Sequence, residues 1–89
     1  MLGRSESPEV VMIFRGTHQV LSAEKALKGG GVPVRLIPVP RRLTSDCGLA
    51  VRLQEQFMPL ARETLAAVPL APASVHRQLA NGEYEEVTF

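Results

Sequence analysis

One thiol, two adjacent arginines and a distant histidine are the residues of this chain best suited to chemistry. Cys47 is the only cysteine and sits in the run PVPRRLTSDCGLAVR, from Pro38 to Arg52. A lone thiol cannot close an intramolecular disulfide, so it is free, paired with another chain, or chemically employed. Arg41 and Arg42 precede it within one loop, Ser45 and Asp46 lead into it, and Gly48 follows. Nearby cations raise the thiolate fraction, and the thiolate is the reactive form. The competing reading is a small buried apolar residue, which is the role of many free cysteines.

The elements that must position this thiol follow from the apolar pattern. Glu9 to Arg15 is nearly continuous apolar sequence with β-branched residues and predicts a buried strand. Gly16 and Thr17 break it, with Thr17 the expected N-cap of a helix through Lys28. In that helix Val20, Ala23 and Leu27 recur at helical spacing, and Gly29, Gly30 and Gly31 end it. Val34 to Val39 predicts a second strand. Its Pro38 and the following Pro40 place it at a sheet edge, because proline cannot donate to a ladder. After the polar loop from Pro40 to Asp46, a third strand opens at Cys47 or Gly48 and runs through Leu53.

A second helix is expected between Gln54 and Val68, its regular part beginning at Pro59, because proline is accepted at the first helical position. Pro69 to Pro72 is a break, Ala73 to Ala80 an expected short helical turn, and Asn81-Gly82 its stop. Tyr84 to Phe89 is the expected last strand. The order is β-α-β-β-α-β, the ferredoxin-like arrangement. It predicts an α+β fold with a four-stranded antiparallel sheet ordered 4-1-3-2 and both helices on one face. Met1 to Pro8 reads as a flexible leader, and residues 9–89 as one domain. In this topology the loop carrying Cys47 meets the end of strand one, near Gly16, Thr17 and His18. The unpaired N–H groups of a helix start favour an anion there.

These residues carry a family resemblance. Strand one ends in Phe14, followed by Thr17-His18, Ala23-Glu24 and Leu27; then come Leu36-Ile37-Pro38, Pro40-Arg41, Ser45 and Cys47-Gly48-Leu49-Ala50. Together they resemble the small domains described as putative selenium/sulfur carrier protein-like, over roughly Val10 to Leu53. The resemblance implies a cytoplasmic protein whose Cys47 carries sulfur or selenium between donor and acceptor proteins. By that resemblance Pro40, Arg41, Ser45 and Gly48 would shape the loop, and His18 would stand at the facing helix start. From their charge and the helix start, Arg41, Arg42, Thr17 and His18 are the residues expected to stabilise the thiolate. No metal or organic cofactor is implied, and any turnover would belong to partner enzymes. Against the family pattern, Pro69 to Gly82 reads as an insertion before the last strand.

Composition bounds the alternatives. The chain has 89 residues, a formal charge of +1, one tyrosine and no tryptophan. That balance, without stacking aromatics, argues against a nucleic-acid surface. No apolar run approaches a membrane span. Two well-separated histidines and one cysteine argue against a structural zinc site. A second reading is a non-catalytic binding or regulatory module, in which an electropositive rim holds an anion or an acidic partner and Cys47 is incidental. A third is a homodimer joined through Cys47 as a redox sensor. Hydrolysis by a Cys47–His18 pair is the weakest, because no third orienting group is evident. His76, in the apparent insertion, is expected to face solvent.

Overall fold

The computed structural model describes residues 8–43 and 48–89. Strand β1 (Glu9–Ile13) leads into α1 (Thr17–Gly29), then β2 (Arg35–Pro38) and β3 (Leu49–Gln54). A single 3-10 turn (Glu55–Phe57) enters α2 (Met58–Ala67), and β4 (Ser74–Gln78) and β5 (Tyr84–Val87) close the fold. All strand pairs are antiparallel, in the order β2-β3-β1-β4-β5.

The α+β class, the antiparallel sheet and the two helices agree with the sequence. The four-stranded 4-1-3-2 sheet is corrected to five strands in a different order. The expected helical turn at Ala73–Ala80 is strand β4, and it is β4 that pairs with β1. The strand expected beside β1, Tyr84 onward, lies at the outer edge as β5. Asn81-Gly82 does not stop a helix but turns the β4–β5 hairpin. The Leu79 N–H donates to the Glu83 carbonyl at 2.7 Å, and the Asn81 Oδ1 accepts from the Glu83 N–H at 2.9 Å. Gly82 adopts φ +87°, a left-handed conformation that favours glycine.

The two helices cover one face of the sheet. Val10, Met12, Val51, Leu53 and Val75 point to that side and pack with Val20, Ala23 and Leu27 of α1 and Met58, Ala61 and Leu65 of α2. Phe14, just past β1, is 1% exposed and belongs to the same cluster. Pro59 falls in the first turn of α2, where its missing N–H costs no helical bond. At the far end of α1, Gly30 packs directly on α2. A Cβ at this position would lie 2.7 Å from Thr64 Oγ1 and 2.8 Å from Thr64 Cγ2, so any larger residue would force Thr64 or its helix to shift.

The opposite face has no helix, yet its centre is buried. Val11 is 1% and Ala50 0% exposed, and Ile13 joins them in a second apolar cluster. Ile37, Val39, Leu43 and Tyr84 pack against this cluster. His76 stands beside Val11 in the β1–β4 register. It is half-buried, with Nε2 2.9 Å from Ser74 Oγ, where a solvent-facing residue was expected.

Candidate functional site

The neck of the β2–β3 connection and the start of α1 lie at the same end of the sheet. β1 leaves the ladder with Ile13 opposite Ala50, so the chain enters β3 and leaves β1 at the same end. The neck of the connection is closed by the Val39 N–H, which donates to the Gly48 carbonyl at 3.0 Å. Gly48 sits at φ +76°, where a side chain would be strained. Beyond the neck, the Leu43 N–H donates to the Pro40 carbonyl at 2.9 Å, which makes a turn with Arg41 and Arg42 at its corners. The roles expected of Ser45 and Cys47 fall outside the described residues.

Gly16, not Thr17, caps α1. The expectation that Thr17 would cap it is corrected: Thr17 is the first helical residue, and no side chain caps the start. The Gly16 carbonyl accepts the Val20 N–H at 3.1 Å, and Gln19 Oε1 accepts the N–H of Arg15 at 3.3 Å. No acidic residue occupies the first turn, so nothing within the helix offsets its partial positive charge. Thr17 and His18 are both exposed. His18 lines an open groove of about 560 Å³ with Gln19, Lys25, Val68 and Leu70.

The two loop arginines have different surroundings. Arg41 is exposed and makes no ion pair among the described residues. Arg42 has an acidic partner: its Nη1 donates to both carboxylate oxygens of Glu83, at 2.8 and 2.9 Å. A second charge cluster ties β4 to its neighbours. Arg77 bonds the Glu55 carboxylate through Nε and Nη2 and reaches Glu85 through Nη1 at 3.1 Å. The Glu55 hydrogen bonds hold the Arg77 guanidinium above its ordinary range. Among the described residues no group of three His, Cys, Asp or Glu could hold a metal ion. No described helix is long and apolar enough to cross a membrane.

A family model described as Putative Se/S carrier protein-like matches residues 9–77. The chain belongs to that family. The matched span begins with β1, includes the whole β2–β3 connection with Pro40-Arg41, Ser45 and Cys47-Gly48, and ends within β4. This corrects the apparent insertion: most of Pro69–Gly82 lies inside the family span and supplies β4. The β4–β5 hairpin and β5 lie beyond the matched residues. No curated protein and no solved structure matches the chain.

From the sequence Glu83 reads as part of an acidic end beside the last strand. In the structure it pairs with Arg42 of the β2–β3 connection, and Tyr84 packs on the open-face cluster of Val11, Ile13 and Ala50. The available signal was Asn81-Gly82. A dipeptide of this type between short strands marks a hairpin, and a hairpin would have brought Glu83 and Tyr84 back along β4.

Proposed function

We propose that the protein carries sulfur or selenium on Cys47, as a shuttle between donor and acceptor proteins in the cytoplasm. The observation that carries this reading is the family match, whose span contains Cys47 within its Pro-Arg, Ser, Cys-Gly setting. Loading is a thiol exchange. The Cys47 thiolate attacks the outer sulfur of a donor persulfide, R–S–SH. The donor S–S bond breaks, R–S⁻ leaves, and Cys47–S–SH forms and ionises to Cys47–S–S⁻. Selenium takes the place of the outer sulfur in the analogous step. An acceptor thiolate then attacks the outer atom and releases the Cys47 thiolate. Oxidation of one partner balances reduction of the other, so no external oxidant, metal or organic cofactor is required.

Positive charge near Cys47 supports this chemistry because it favours both the thiolate and the persulfide anion. Arg41 is the loop cation with no ion pair among the described residues. The N-terminus of α1, at Thr17 and His18, has no acidic residue in its first turn and would be the second source. The rate of Cys47 alkylation against pH tests the idea, with an Arg41→Ala variant beside the wild type. The expected wild-type midpoint lies below the ordinary thiol value of about 8.5, and it moves upward in Arg41→Ala. A midpoint at or above that value, unmoved by the substitution, would reject an activated carrier thiol.

A further inference from the structure

In a sheet covered by helices on one side, the other side is expected to be wet. Here Val11 and Ala50 on that side are as buried as Met12 and Val51 on the helical side. Part of the cover comes from the sheet itself, through Ile37 and Tyr84 at its two flanks. The rest of the described cover comes from the β2–β3 connection, whose Val39 and Leu43 pack on the same cluster.

The strand register shows how far this connection travels. It leaves β2 and enters β3 at the end of the sheet where β1 finishes, since Ile13 pairs with Ala50. The β4–β5 hairpin lies at the other end, because β4 runs from Ser74 beside Ile13 to Arg77 beside Val10 and beyond. β1 stands between β3 and β4, so Arg42 and Glu83 approach from opposite flanks as well as opposite ends. For Arg42 to meet Glu83, the turn at Pro40–Leu43 must lie diagonally across the open face. The five residues of β1 measure about 16 Å along that path.

We propose that residues 40–43 form a strap over the open face of the sheet, with Glu83 as its anchor and Leu43 as its apolar seat. Arg42 and Glu83 are 41 positions apart, and their side chains keep 61% and 48% of their exposure. The anchor is therefore a solvated ion pair that opens readily, whereas Leu43 rests on a permanent apolar floor. The strap residues lie within the matched residues 9–77, and the anchor Glu83 lies beyond them. On the carrier reading, Glu83 is a positioning residue that acts through Arg42 to fix where the chain sets out toward Cys47.

Amide hydrogen exchange at Leu43, followed by NMR in the full chain, tests the strap without using the thiol. Its outcome is therefore separate from that of sulfur loading. In Glu83→Gln the Leu43 amide is expected to exchange about two- to fivefold faster, in proportion to a lost exposed ion pair. The amides of α1 should be unchanged. The charge-swapped variant R42E/E83R should restore exchange to the wild-type rate, which a merely structural role for either residue would not do. An unchanged Leu43 rate in Glu83→Gln, acceleration shared equally by α1, or failure of the swap to restore protection would each overturn the strap.

Discussion

Val11→Asp is expected to destabilise the protein by about 3 kcal/mol or more, although Val11 lies on the face that carries no helix. Val11 is 1% exposed and sits in a cluster with Ile13 and Ala50, under Leu43 and Tyr84. A carboxylate there must lose its water or displace that cover, and both are costly. Small domains are stable by only about 5–15 kcal/mol, so a loss of this size should lower the urea midpoint markedly. If the face were open, the same substitution would be a surface change, worth within about 0.5 kcal/mol. Urea unfolding followed by circular dichroism separates the two outcomes. A midpoint within that surface range would contradict the covered face described above.

Phe14→Ala is expected to cost about 3–5 kcal/mol. Phe14 is the largest of the fully buried side chains and is 1% exposed. It follows β1 at the end of the sheet from which α1 departs, and it shares the helical-side cluster with Val20, Leu27 and Leu65. Removing its ring leaves a cavity among residues held by two helices and the sheet, so little of the space can collapse. Thermal and urea unfolding of the variant check the value. A cost below about 1 kcal/mol would mean that the ring does not organise this core.

The first five elements were legible because each carries a local physical signature. The apolar run from Val10 to Phe14 reads as a well-buried strand, and all five residues are buried. Val20, Ala23 and Leu27 at helical spacing mark the inner face of α1. Pro38 and Pro40 require an edge position, which β2 occupies. β4 was not legible, because only Val75 of its inward residues is apolar. Its second inward residue is Arg77, which is accommodated there by Glu55 and Glu85. That arrangement depends on a partner 22 positions away, and no local periodicity records it. Alanines and leucines around the strand then favoured a helical reading.

The site was legible in part. The loop, its arginines and the glycine at Gly48 were all visible in the sequence. The engagement of Arg42 by Glu83 was not, because it depends on a hairpin whose Asn81-Gly82 turn also has the composition of a helix stop. The cap of α1 was misplaced by one residue. Thr17 has the preferred side chain, but Gly16 holds the extended backbone that precedes the first turn. These differences leave Arg41, rather than Arg42, as the loop cation without an ion pair among the described residues.

On the proposed function, Cys47 accepts and carries a chalcogen atom. The most direct test is the intact mass of the protein after incubation with a low-molecular-weight persulfide and removal of the excess. Wild type and Cys47→Ser are compared before and after treatment with a thiol reductant. The account predicts that wild type gains one sulfur atom, mapped to Cys47 and removed by the reductant, and that Cys47→Ser gains none. A wild type that takes up no sulfur, or a Cys47→Ser variant that takes up as much, would contradict it.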